Sequence, residues 1–335
     1  MKSSGLRSRL AALVTAGIAC VCLLSLSSAT AWAKVGSIKE FPIPTSGSSP
    51  FGITAGPDGN LWFTENTGNK IGRITPRGTI TEFPTPSGSG PFGITKGPDG
   101  NLWFTESSGS ANKIGRITTA GAVINEFPVP STNSLPEGIT SGPDGNLWFT
   151  EASGNNIGRI TTSGVITEFP VPEGFGSGPV GITAGPDGNL WFTEFNAAHV
   201  DRITTSGTIT EFPLPTNTSE PEGITAGPDG NLWFTEFNGN NIGRITTSGV
   251  ITEFAVPTSG SSPFGITKGP DGNLWFTEFF GVGKIGRITT AGVVINEFPI
   301  PTGLSRPEGI TAGPARTASV WFTEVMGNKI GKITT

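Results

Sequence analysis

Three features of the 335-residue chain predict an all-β fold, a closed seven-bladed β-propeller with four antiparallel strands per blade. Seven tryptophans, Trp62, Trp103, Trp148, Trp191, Trp233, Trp275 and Trp321, recur at intervals of 41, 45, 43, 42, 42 and 46 residues, the period of propeller blades. Each repeat holds four short runs rich in β-branched and aromatic residues, and none has a useful helical period. The chain also stops one strand short of a complete seventh repeat and supplies a strand of the missing kind near its start.

Residues 1–33 read as a cleavable secretory signal. Lys2, Arg7 and Arg9 form a basic start, an apolar run follows from Leu10 to about Leu26, and Ala31-Trp32-Ala33 is a small-x-small cleavage pattern. The apolar run is short of the ~20 residues that span a bilayer, so export to the periplasm or medium is expected, without membrane insertion. Cleavage after Ala33 removes Cys20 and Cys22 and leaves no thiol. It also removes three basic residues and no acidic one, moving the formal charge from −5 to −8. An acidic chain is a poor partner for nucleic acid, whose phosphates need a basic surface.

Residues 34–335 then form one propeller, because a ring grows by adding blades rather than by enlarging one core. Its first strand is Ser37-Ile38-Lys39-Glu40-Phe41-Pro42, which matches the fourth strand of a repeat, as in Ile80-Thr81-Glu82-Phe83-Pro84. In the fifth repeat the four runs are 222–225, 231–235, 241–246 and 251–254. Gly227-Pro228-Asp229-Gly230 turns the first into the second: Pro sets φ, Asp bonds back to the chain and Gly accepts a positive φ. Thr247-Ser248-Gly249 turns the third into the fourth. The last repeat ends at Ile330-Gly331-Lys332-Ile333-Thr334, after its third strand. The N-terminal strand is therefore expected to complete the last blade, which closes the ring and hides its edges.

The inner strand of a blade lines the central channel, so function is sought where it begins. Position x of Pro-x-Gly-Ile varies most in an otherwise uniform repeat: Phe51, Phe92, Glu137, Val180, Glu222, Phe264 and Glu308. Three carboxylates and three phenylalanines around one opening suit a hard cation held through oxygen, such as Mg²⁺ or Ca²⁺. They equally suit a cationic small-molecule or peptide-like ligand held by charge and aromatic faces. They also fit solvated rim residues with no ligand. A second position, the Glu ending Trp-Phe-Thr-Glu (Glu65 to Glu324), is expected to meet x at the same rim. Its readings are a ring of metal ligands, a Glu–Arg pair in each blade with the Arg of Ile-Gly-Arg, or a carboxylate capping the loop. Phe195, Phe237 and Phe279, just after that Glu, read as an apolar wall.

Blade 4 departs from the repeat. It reads Phe195-Asn196-Ala197-Ala198-His199-Val200-Asp201-Arg202 and holds the protein's single histidine. His199, near Asp201 and Glu194, is a candidate general base, or a surface substitution. With no Tyr, one His and no thiol after cleavage, most nucleophilic and zinc chemistries are poorly supplied. An enzyme here would work through carboxylates.

The motifs Pro-x-Gly-Ile-Thr-x-Gly, Leu-Trp-Phe-Thr-Glu, Asn-Lys-Ile-Gly-Arg-Ile-Thr and Ile-Thr-Glu-Phe-Pro-x-Pro resemble those of the virginiamycin B lyase (streptogramin lyase) family along nearly the whole mature chain. The resemblance implies a seven-bladed propeller. It also implies linearisation of cyclic depsipeptides by elimination at an ester, with a His as base and a Glu-held Mg²⁺ polarising the carbonyl. The family's catalytic His falls on Glu308, its substrate-binding His on Phe264, and one metal-binding Glu on Arg306; the other metal-binding Glu matches Glu324. Two functions are expected from this pattern. The first is an exported monomeric binding propeller without lyase activity. The alternative is a metal-dependent carbon–oxygen lyase or lactone-acting relative that uses Glu308, Glu324 and His199.

Overall fold

Runs of β-branched and aromatic residues, separated in six blades by Gly-Pro-Asp-Gly-Asn turns, build seven four-stranded antiparallel sheets; six have their strands in sequential order from the channel outward, and the seventh takes its outer strand from the N-terminal segment. The structure is a computed structural model. It describes residues 34–335 apart from 87, 109–110, 173–175 and 316, so the expected signal segment lies outside the described residues. Lys34–Thr335 is one compact unit, and all 28 strands belong to it. Among the described residues no helix is long and apolar enough to cross a membrane.

In blade 5 the strands are Pro221–Ala226, Leu232–Glu236, Asn241–Ile245 and Ile251–Ala255, within one residue of the expected runs at each end. Blade 7 consists of Pro307–Ala312, Ser319–Glu324, Lys329–Thr334 and the N-terminal strand Ile38–Pro42. That strand pairs antiparallel from Ile38 opposite Ile333 to Pro42 opposite Lys329. The ring is thus closed by the first strand of the described chain, as its two ends predict.

Strand alternation divides each second strand between two neighbours. In blade 1, Trp62 packs with Ile94, Leu102, Phe104 and Ile117 of blade 2. Phe63 points the other way, into a cluster with Trp321 and Ile330 of blade 7. The core is therefore seven layers between blades, and the seven Trp of the repeats are fully buried. On the next strand Arg73 lies opposite Trp62, and its guanidinium stacks over the indole and over Phe83 at 5.6 and 5.3 Å. It also donates to Thr119 O of the next blade at 3.1 Å. A Glu–Arg pair per blade is thus overturned: Glu65 is opposite Lys70, three rungs from Arg73 and on the opposite face.

Candidate functional site

The seven Pro-x-Gly segments converge on one bowl at the channel mouth, with an empty volume of about 540 Å³. Each inner strand shifts register between the Pro and the Ile, so x sits in a bulge, a device that re-aims side chains beside functional sites. Two uniform residues hold the ring of bulges together. The Thr of each Trp-Phe-Thr donates to the carbonyl of x in the next blade, as Thr105 does to Glu137 at 2.8 Å and Thr323 to Phe51 at 2.8 Å. The same hydroxyl accepts the glycine N–H of its own blade, as from Gly93 at 2.8 Å. Glycine follows x because the blades approach too closely for a side chain: a Cβ on Gly93 would lie 2.2 Å from the Glu137 carbonyl oxygen. This Thr–Gly relay was not read from the sequence. Its signal was there, since both residues occur in all seven repeats.

All seven x residues line the bowl, including the expected Glu137, Glu222, Glu308, Phe51, Phe92 and Phe264. The phenylalanines form two apolar arcs. Phe51 and Phe92 lie 4.6 Å apart between ring centroids. Phe264 packs against Phe237 and Phe279 at 6.2 and 5.9 Å, and Phe280 extends that wall. Phe195 lies elsewhere, lining a groove across blades 3 to 5 with Glu137, Val180 and Glu222. The wall therefore belongs to blades 5 and 6 alone, where Phe237 and Phe279 both meet Phe264, whereas the x residues beside Phe195 are Val180 and Glu222.

The acids sit on alternate blades within this apolar surround, and each has its carboxyl pushed up. Burial raises Glu137 to about 7. Glu222 is raised well above the ordinary carboxylate range by burial and then by Glu137 and Glu308. Glu308 reaches about 8, chiefly through burial, with Arg306 opposing and Glu137 adding. Three such acids close together do not all ionise at neutral pH. A positive group entering the bowl would draw their protons off and pair with them.

The Glu of Trp-Phe-Thr-Glu does not share this rim. It faces the same side as Phe63 and is enclosed in all seven blades, at 0–1% exposed. A Cβ on Gly68 would lie 3.2 Å from Glu65 Oε2, so the carboxyl sits under the loop, which is the capping arrangement. Glu324 is placed likewise beside Gly327, and burial followed by the charge of Glu40 raises it to about 8. It is not among the residues lining the bowl. His199 is also away from the bowl: it opens the third strand of blade 4, opposite Glu194. The structure thus brings Glu308 together with the ring of x residues, and not with Glu324 or His199.

A Mg²⁺ at the place the resemblance implies would draw on the residue at 306, Glu308 and Glu324. Arg306 stacks its guanidinium over Phe279 at 5.3 Å and acts electrostatically on Glu308. A hard dication needs several oxygen donors. At that position it would meet one carboxyl and a fixed positive charge, with Glu324 turned under the loop. These residues do not fit the group there.

Comparison with known proteins supports the same architecture. The virginiamycin B lyase family model matches residues 29–176 and 172–335. A crystal structure of virginiamycin B lyase from Staphylococcus aureus superposes with a TM-score of 0.83 at 45% identity, covering 89% of this chain and 99% of that one. A catalytically inactive histidine-to-alanine form of that enzyme with quinupristin matches equally well. A streptogramin B lyase structure gives 0.83 at 42% identity, covering 89% and 97%. The virginiamycin B lyase of Bordetella parapertussis is 45% identical over 47 residues, 14% of this chain and 16% of its own length. The matched stretch therefore spans only about a sixth of that curated relative.

Proposed function

The chain belongs to the virginiamycin B lyase family, and from that premise we propose that it is an exported, monomeric binding propeller that lacks the lyase reaction. Its ligand is a small-molecule or peptide-like compound with a positive charge and an apolar flank, held in the mouth bowl. The observation that carries this reading is the composition of the bowl: Glu308 and Phe264 stand where the family has histidines, and no histidine lines it. Glu137, Glu222 and Glu308 supply the countercharge, and Phe51, Phe92 and Phe264 offer aromatic faces to a cation. A bare Mg²⁺ or Ca²⁺ in the same ring is the second cationic ligand to consider, favoured by the mutual influence of the three acids.

Elimination at an ester needs a base that is unprotonated at the working pH and a group that stabilises the developing enolate. Glu308, raised to about 8, is mostly protonated at pH 7, and Arg306 takes the place of the metal-binding acid. The test is incubation of residues 34–335 with a streptogramin B depsipeptide and Mg²⁺, followed by chromatography with mass detection. Elimination gives a linear isomer of unchanged mass, whereas hydrolysis adds one water. The expected result is intact substrate. A linear isomer formed by the chain and lost in Glu308→Gln would replace this reading with the lyase one.

A further inference from the structure

Blade 4 holds a second cluster of chemically capable side chains, apart from the bowl. In blades 1, 2, 6 and 7 the enclosed Glu under the loop faces a lysine across the hairpin, as Glu65 faces Lys70. The ammonium pairs with the outer-strand Glu at 3.1, 2.9, 3.8 and 3.0 Å respectively. Blades 3 and 5 use asparagines, whose amides donate to Glu151 at 3.2 Å and Glu236 at 3.0 Å. Blade 4 has neither a lysine nor an asparagine at that position. His199 faces Glu194, and Asp201 replaces the glycine that the other six blades place there, so one acid is added and the fixed cation is missing.

We propose that Glu194, His199 and Asp201 bind one divalent first-row transition-metal ion of the Zn²⁺ class. One donor atom from each lies within 4.8 Å of the others, and His199 Nδ1 is 3.9 Å from Asp201 Oδ1. Alternation along the strands puts all three on one face, since His199 and Asp201 are two residues apart and Asp201 and Glu194 share the side of Phe192. Tetrahedral coordination with bonds of about 2.1 Å sets donor separations near ~3.4 Å, a small contraction of this cluster. A second observation also points to a ligand. Glu194 and Asp201 are both 0% exposed and sit carboxyl to carboxyl, and no N–H or hydroxyl among the described residues donates to either Glu194 oxygen or to Asp201 Oδ2. Buried carboxylates need compensating charge. An imidazole with two carboxylates suits a borderline ion better than Ca²⁺ or Mg²⁺, which favour all-oxygen shells.

Such an ion has a structural task at this position. The outer strand of blade 4 is only Ile209–Thr210, against five or six residues in the other blades. Asp201 Oδ1 takes the Phe212 N–H at 3.1 Å, and His199 forms an isolated bridge with Pro213. A bound ion would clamp the hairpin to the outer chain where the ladder is broken.

The experiment uses residues 34–335, stripped with EDTA. Zn²⁺ is titrated by calorimetry with elemental analysis of the dialysed protein, and Co²⁺ serves as a spectroscopic probe of nitrogen ligation. The expected result is one Zn²⁺ per chain and a visible Co²⁺ band. Affinity should fall at least about 100-fold in His199→Asn and in Asp201→Gly, a loss at or above the outer-shell range. Both variants install the residues of blade 5, which keeps folding unthreatened, and Val250→Thr, at an exposed outer turn, should leave binding unchanged. No stoichiometric binding would overturn the proposal and leave a proton shared between Glu194 and Asp201. Binding that survives both blade 4 variants, or is lost in Val250→Thr, would overturn it equally.

Discussion

The two ends of each inner strand obey opposite rules. At the turn end, six blades repeat one arrangement almost unchanged: the Asp of Gly-Pro-Asp-Gly-Asn accepts from the Trp Nε1 at 3.0 or 3.1 Å and from the Asn amide two residues on at 2.8 or 2.9 Å. At the mouth end the backbone is just as uniform, but the side chain at x changes from blade to blade. The turn end spends its side chains on holding the blade. The mouth end delegates that task to Thr and Gly, which frees x to carry charge or an aromatic face. Blade 7 shows the cost of leaving the rule at the turn end. It lacks the Asp, and Trp321 Nε1 is buried without a hydrogen-bond partner among the described residues.

The largest expected effect breaks the frame of the mouth. Gly93→Ala forces a Cβ against the Glu137 carbonyl oxygen, 2.2 Å away and part of the backbone. Overpacking against a backbone that is itself clamped is expected to cost about 3 kcal/mol or more, read by urea unfolding. At the turn end, Asp144→Ala removes the acceptor of Trp148 Nε1 at 3.0 Å and leaves a buried donor unmet. A loss of roughly 1–3 kcal/mol is expected.

The third effect distinguishes the two ends by pH. Glu308 is an acid whose folded value, about 8, lies above its ordinary 4.5. The folded state therefore binds the extra proton between those values, and stability falls as pH rises from about 4.5 through about 8. Asp144 is the reverse case, held below 3.8 by Asn146 and Trp148 against the opposing effect of burial, so its contribution is lost as pH falls through its lowered value. Glu308→Gln is accordingly expected to be neutral in stability at pH 4 and to stabilise at pH 8.5 by about 1–2 kcal/mol, discounted for solvent at the bowl. Thermal unfolding at the two pH values checks the sign. The smallest effect is a control: Val250→Thr, at a position 63% exposed in an outer turn, should stay within about 0.5 kcal/mol.

The fold was legible because the repeat states it seven times and the offset ends state its closure. The mouth residues were legible for the same reason, as variation stands out against a uniform frame. What failed was the facing of side chains. Glu65 and Phe51 both lie at the loop end of their strands, which made one rim of them. Period-2 alternation instead turns Glu65 toward the side of Phe63, and its own hairpin loop, at Gly68, folds over the carboxyl and covers it. The Arg73–Trp62 stack was hidden by the same omission. Counting rungs back from Glu65 opposite Lys70 puts Arg73 beside the indole, beyond reach of the acid. Sequence distance put His199 and Asp201 together, as the structure does, but did not show that neither lines the bowl.

The central claim is that the x residues bind a positively charged ligand. Thermal unfolding of residues 34–335 with increasing benzyltrimethylammonium, a charged and aromatic probe, tests it most directly, with Mg²⁺ and Ca²⁺ as parallel arms. A ligand that binds only the native state raises Tm with concentration. The account predicts a saturable rise with the organic cation that is lost when Glu137, Glu222 and Glu308 are changed together to Gln. No rise with any of the three cations, or an equal rise in the triple variant, would contradict it.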